Sequence, residues 1–255
     1  MYPYVKNNKT VSIIVDGELY TINDMYISYN TIMDFITNND VSKDNDKILL
    51  KYLSPIEAFK NIVLGNTSFS FEGNELVCKV DKEVIKLPED LYRDIYKIYE
   101  EEGSLLPLLK FVKKLLKNPR KEVVEELWSF IKVCGFSLTS SGNFLAYKRV
   151  TDDFKDIFTK TMDNSPGTVV KMLRNQVEYN PNITCASGLH FAAWEYLDHY
   201  AKGGRTVLVS VSPKNVVSIP SDYNNMKGRA CKYKIIKEVH TPKELDTKKF
   251  YTDLD

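Results

Sequence analysis

Hydrophobic and polar positions change rhythm several times along the chain, and each change marks an expected element. Thr10 to Val15 and Glu18 to Ile22 alternate around Asp16-Gly17, a pair that accepts positive φ and so predicts a tight β-hairpin. A short helix is expected around Thr31 to Thr37, and the polar run Asn38 to Asp46 reads as a loop. Ser54-Pro55-Ile56-Glu57 carries agreeing helix-start signals. Ser54 caps, Pro55 suits the first turn, Glu57 completes a capping box, and Gly65 ends the helix. A second β section follows, Ser68 to Phe71 and Glu75 to Val80 around Glu72-Gly73-Asn74. Pro88-Glu89-Asp90 then opens a helix on which Leu91, Ile95 and Ile98 recur at helical spacing, with Gly103 beyond its end.

The strongest pattern comes next. Leu105, Leu108, Leu109, Val112, Leu115 and Leu116 fall on one helical face and Lys110, Lys113, Lys114 and Lys117 on the other, until Asn118-Pro119 stops the helix. Another helix is predicted from Lys121 to Val133, with Val124, Leu127, Trp128 and Ile131 inward. After Gly135 the texture becomes β: Phe136 to Leu138 and Phe144 to Val150 flank Ser140-Ser141-Gly142-Asn143. Glu178 to Asn182 reads as a loop, and Trp194 to Ala201 as a short helix closed by Gly203-Gly204. Arg205 to Val211, Val216 to Ile219 and Ala230 to Val239 are rich in branched residues and read as strands, and Lys243 to Asp255 as a polar tail. The fold class expected is α+β, with a mixed N-terminal region over 1–134, a β-rich region over 135–240 and a tail over 241–255.

Composition narrows the function classes. The chain has 255 residues, 43% hydrophobic and 27% charged, as in ordinary globular proteins. Its 35 basic and 34 acidic residues give a net charge of +1, so there is no global field to draw in nucleic acid or anionic lipid. Lys110 to Lys121 holds six basic residues with little aromatic interleaving, and specific nucleic-acid binding is not expected. Apolar runs are too short to span a bilayer, and Met1-Tyr2-Pro3-Tyr4-Val5-Lys6 lacks a signal-peptide core. Four scattered cysteines without a CxxC pair suggest reduced thiols in a cytosolic protein, not a disulfide framework or zinc site. No metal or cofactor is expected.

The C-terminal half carries recognisable text. It includes Phe144-Leu-Ala-Tyr-Lys148, Asp163-Asn-Ser165, Met172-Leu-Arg-Asn175 and Thr184-Cys-Ala-Ser-Gly-Leu-His190. Val216-Val-Ser-Ile-Pro220, Asp222-Tyr-Asn224 and Lys227-Gly-Arg-Ala-Cys-Lys-Tyr233 follow. This ordered set resembles the T-even bacteriophage rIIB family. Weaker similarity reaches upstream through Val15-Asp16-Gly17 and Leu115-Leu-Lys-Asn-Pro119. The T-even form has a further N-terminal, helix-turn-helix-like segment, and this chain is expected to start after it, so no DNA-contacting role is carried over. The resemblance implies a non-enzymatic early phage protein that acts with an rIIA partner in the host cytoplasm, at the inner face of the membrane. It further implies a role in lysis timing and in protection against prophage exclusion.

Two constellations carry candidate chemistry. His190 follows Gly188-Leu189 and precedes Tyr196 and His199-Tyr200, a pattern loosely like ADP-ribosyltransferase folds. A related fold would hold ADP-ribose-like or cyclic-nucleotide signals. The plainer alternative is a histidine bonded locally. Transfer chemistry would also need a carboxylate, and Glu195 and Glu238 have no supporting motif. The second set is basic, Lys148, Arg174, Arg205, Lys227 and Arg229, with Tyr147, Tyr223 and Tyr233 as stacking faces. Converged, these groups would form an anion or nucleotide pocket; dispersed, they are surface charges and internal ion pairs such as Asp222 with Arg229. Candidate ligand-binding residues are thus Lys148, Arg174, His190, Tyr196, Tyr223, Lys227, Arg229 and Tyr233. Asp222-Tyr223-Asn224-Asn225 also reads as a turn, and Cys185 and Cys231 as small buried groups. The Leu105–Lys117 stripe fits an interfacial membrane helix or, more simply, a helix on its own core.

Overall fold

A computed structural model of the chain describes residues 1–24, 26, 28–53, 69–72, 75–80, 83–88, 91, 94–95, 98, 106–183, 185–197, 200, 203–220, 226–241, 251–252 and 254. The chain forms two units. The first comprises Met1–Leu87 with Tyr92–Leu105, and the second Pro88–Leu91 with Leu106–Asp255.

In the first unit, β1 (Tyr4–Lys6), β2 (Thr10–Val15) and β3 (Glu18–Asn23) form an antiparallel sheet. The Asp16-Gly17 turn is as expected, with φ of 49° and 82°, and the hairpin register runs from Val15 with Glu18 to Thr10 with Asn23. Alternation puts Val11, Ile13 and Val15 into a core. Ile32 and Ile36 of α1 (Tyr29–Asn38) and Leu49 and Leu53 of α2 (Lys43–Leu53) join it. Tyr2 is buried there and donates its hydroxyl to Asp46 Oδ1 at 2.7 Å; burial and that carboxylate push the phenol up to about 12.

The helix α2 begins inside the run expected to be a loop. Its first turn is polar because Asp44 and Asp46 lie where the helix dipole favours negative charge, and Ser42 Oγ accepts from the Asn45 N–H at 3.2 Å. The helix start at Ser54 and its stop at Gly65 lie outside the described residues. The sheet β4 (Phe69–Glu72), β5 (Glu75–Val80) and β6 (Glu83–Lys86) contains the expected strand pair and a third strand. Leu91, Ile95 and Ile98 are buried as their spacing implied.

The second unit opens with α3 (Leu106–Leu115) and α4 (Lys121–Val133). On α3, Leu108, Leu109, Val112 and Leu115 are buried, so the stripe faces protein, and Phe111 belongs to it, its ring 5.7 Å from Trp128. The lysines are partly tethered: Lys110 Nζ donates to the Ser140 carbonyl and Lys114 Nζ to Asn143 Oδ1. On α4, Val123, Leu127, Trp128, Phe130 and Ile131 are buried and Val124 is only partly so. No helix among the described residues is long and apolar enough to cross a membrane.

A nine-stranded sheet follows. Its spine is β12 (Val216–Ser218), β13 (Lys227–Ala230), β10 (Leu189–Ala192), β8 (Phe144–Val150), β11 (Arg205–Val211), β14 (Lys232–Glu238) and β9 (Val169–Lys171). These pairings are antiparallel. β7 (Leu138–Thr139) joins β8, and β15 (Tyr251–Thr252) pairs with β7 in parallel. The expected polar tail therefore contains a strand, held by the Ser140 N–H to the Thr252 carbonyl at 3.2 Å. Ala230 to Val239, expected as one strand, breaks at Cys231 into β13 and β14. A short helix α5 (Trp194–Leu197) follows β10.

An aromatic cluster lies beneath the sheet. Phe144 and Phe191 meet edge-on at 5.4 Å, and Phe130 stands 5.6 Å from Phe136 and 6.1 Å from Phe191. Gly228 makes this fit possible, since a Cβ there would stand 2.3 Å from the Phe191 ring.

Candidate functional site

Three segments remote in sequence meet at the centre of the sheet. The register places His190 beside Arg229 and Ala192 beside both Lys227 and Tyr147. β10 bonds β8 through that one pairing, so the two strands part where Lys148 follows Tyr147. The Lys148 ammonium sits there and donates to the His190 carbonyl at 3.4 Å.

Charge around His190 is one-sided. Burial is the largest influence on its imidazole, followed by the positive charges of Lys148, Arg229 and Lys227, and together they pull its pKa down to about 3. His190 is therefore neutral at physiological pH. Burial also pulls Lys148 down to about 8, opposed by the Asp156 carboxylate. Aromatic faces flank both lysines: Lys148 Nζ lies 5.9 Å from the Tyr233 ring centroid and Lys227 Nζ 5.5 Å from that of Tyr196. Tyr196 stacks on Tyr200 at 5.9 Å, and Tyr147 meets Trp194 edge-on at 5.2 Å.

Contacts link Lys148 with the His190 carbonyl and the Tyr233 ring, and Lys227 with Tyr196, while Arg229 lies beside His190 in the register. Their roles differ. Arg229 is fully buried and is spent on the fold: its guanidinium donates to the carbonyls of Glu178, Asn180 and Ile183 and to Ser218 Oγ. It pins the expected 178–182 loop over the sheet. Gly188, at φ 154°, leaves room for it, because a Cβ would come within 3.2 Å of the Arg229 side chain. Tyr233 is buried and donates to Asn164 Oδ1 at 3.0 Å, and burial drives its phenol pKa upward.

Two further basic residues of the expected set are bonded to the fold. Arg174 donates to the Lys214 and Val216 carbonyls and to Asn118 Oδ1 at 2.8–2.9 Å. Arg205 bonds the Asp152 carbonyl, lies over the Phe154 ring and pairs with Glu238 at 3.0 Å. That pairing occupies one of the two carboxylates considered for transfer chemistry, and the other, Glu195, is exposed. Tyr223, Asp222 and His199 lie outside the described residues. Cys185 is exposed where a buried position was expected, while Cys231 accepts a weak bond from Arg174 at 3.9 Å. No group of residues suited to holding a metal occurs among the described residues.

Sequence reasoning missed two anchors. Asn118 is buried, donates to the Pro213 and Val216 carbonyls at 2.8 Å each, and accepts from Arg174 and the Arg120 N–H. All four of its bonds are filled. Asp156 accepts from the backbone of Thr159, Thr161 and Met162 and from the Thr159 hydroxyl. Burial opposes its ionisation, but those donors prevail and hold it at about 2. The spacing Asp156, Thr159, Thr161 is a turn signal that was available.

A family model described as bacteriophage T4 protein rIIB matches residues 4–246. The chain belongs to the rIIB family. Protein rIIB of Enterobacteria phage T4 is 31% identical over 235 residues, covering 91% of this chain and 72% of that relative. No solved structure matches. The match spans both units, so the sheet and its cationic centre belong to the rIIB-type chain itself.

Proposed function

We propose that this rIIB-family chain is a non-enzymatic phage accessory protein that sets lysis timing and protects infection from host or prophage exclusion. It acts by recognition, together with an rIIA-like partner, in the host cytoplasm and at the inner face of the membrane. Family membership supports the rIIB role. The observation that carries recognition over catalysis is the state of His190. An acid–base group is effective when its pKa lies near the working pH. His190, the candidate imidazole, is held at about 3 by burial and neighbouring cations, and nearby Arg229 is committed to backbone carbonyls.

Deleting the gene from its phage tests the reading. Early lysis and failure to plate on an excluding lysogen, both restored by the chain supplied in trans, are expected. Unchanged lysis time and plating would refute it.

A further inference from the structure

Lys148 is partly buried and makes few contacts with its ammonium. Its ammonium has three donors, and among the described residues it makes one long bond, to the His190 carbonyl at 3.4 Å. No carboxylate among the described residues lies within ion-pair distance of it. Arg229 differs, since four acceptors surround it. Removing an ammonium from water without a counter-charge is costly, and an apolar side chain of similar length would serve the fold equally well. Yet the place is reachable: Lys148 and His190 both keep part of their surface open, as does Trp194, and Tyr200 is exposed. Lys227 joins Lys148 among the cations acting on His190, and the stacked Tyr196–Tyr200 rings adjoin Lys227.

We propose that the gap between β8 and β10 binds a small phosphate-bearing molecule with a planar ring, with Lys148 as the anion's anchor. His190, neutral, offers one N–H or one lone pair; Lys227 adds charge; and the tyrosine pair supplies the stacking wall. The inference rests on the reading that the C-terminal unit recognises rather than transforms.

Asp156, the Tyr233 ring and the His190 carbonyl face Lys148; Lys227 and Arg229 act with Lys148 on His190; Tyr196 lies against Lys227, and Tyr200 feels Asp156 and Lys227. An anion beside the ammonium raises its pKa from about 8, so binding must take up protons. Calorimetry of the full chain at pH 8, in buffers of different ionisation enthalpy, uses inorganic phosphate, adenosine, AMP and ADP-ribose as probes. AMP or ADP-ribose is expected to bind with Kd below about 1 mM, tighter than phosphate or adenosine alone. Binding at pH 8 should take up about half a proton. Lys148→Met should weaken it at least tenfold, roughly the least one lost charged contact costs, while the ligand-free protein melts no lower than wild type.

Silence of every probe at roughly 10 mM would overturn the proposal, as would binding without proton uptake. Equal affinity in Lys148→Met, or a ligand-free variant that melts several degrees lower, would also overturn it. Loss of binding here leaves the phage phenotype to be judged separately, so the two readings fail independently.

Discussion

Asn118 and Arg174 form a bonded pair whose strength is measurable. Asn118→Ala removes four hydrogen bonds, those to the Pro213 and Val216 carbonyls, to Arg174 and to the Arg120 N–H. The Val216 carbonyl keeps Arg174, and Arg174 keeps Val216 and Lys214, so the net loss is carried mainly by Pro213 and Arg120. At roughly 1 kcal/mol per net bond, with a surcharge for a stranded buried group, the cost is about 2–4 kcal/mol. Arg174→Met should cost about as much, and the double variant less than the sum, with coupling on the order of 1–2 kcal/mol because the two share a bond. Both tryptophans, Trp128 and Trp194, lie in the second unit, so urea unfolding followed by tryptophan fluorescence reports that unit alone. Coupling below about 0.5 kcal/mol would refute the bonded pair and return Arg174 to the ligand candidates.

Other consequences follow from single contacts. Gly228→Ala forces a methyl group to within 2.3 Å of the Phe191 ring in the aromatic cluster, and should cost about 1–3 kcal/mol by denaturant titration; unchanged stability would contradict that packing. His190 lowers stability in acid. The unfolded chain takes its proton below the ordinary 6.5 and the native state only near 3, so stability falls as pH drops through that window, by up to about 5 kcal/mol. His190→Gln should flatten the slope between pH 6.5 and 4, and an equal slope in the variant would count against the buried neutral imidazole. Among the cysteines, Cys185 is exposed and should react first with a thiol reagent at pH 8. Cys134, whose thiol burial and nearby Glu195 push up to about 12, should lag by orders of magnitude; comparable rates would disprove that environment.

Elements with a local signal were legible in the sequence. Asp16-Gly17 fixes its hairpin through positive φ, and the branched runs Phe144–Val150 and Arg205–Val211 are strands with the expected ends. α2 was not legible, because its first turn is stabilised by acidic and capping residues that also populate loops. β13 was hidden for a different reason. Lys227-Gly-Arg229 looks solvent-exposed, and its burial depends on carbonyls of the 178–183 loop, some fifty residues away.

The site divides in the same way. Its residue types were visible, but convergence depends on the order β13-β10-β8, which joins strands that are not neighbours in sequence. Arg174 shows the limit: an arginine in a family-like motif can equally serve backbone carbonyls, and only the position of Asn118 decides.

We propose that the protein holds a partner or ligand, one for one, and turns over no substrate. Lysis time and plating on the excluding host, measured across a graded series of expression levels in a phage lacking its own copy, test this directly. A holding protein gives protection that rises in proportion to its copy number and fails when copies are scarce. Full protection from trace amounts, independent of further expression, would contradict it.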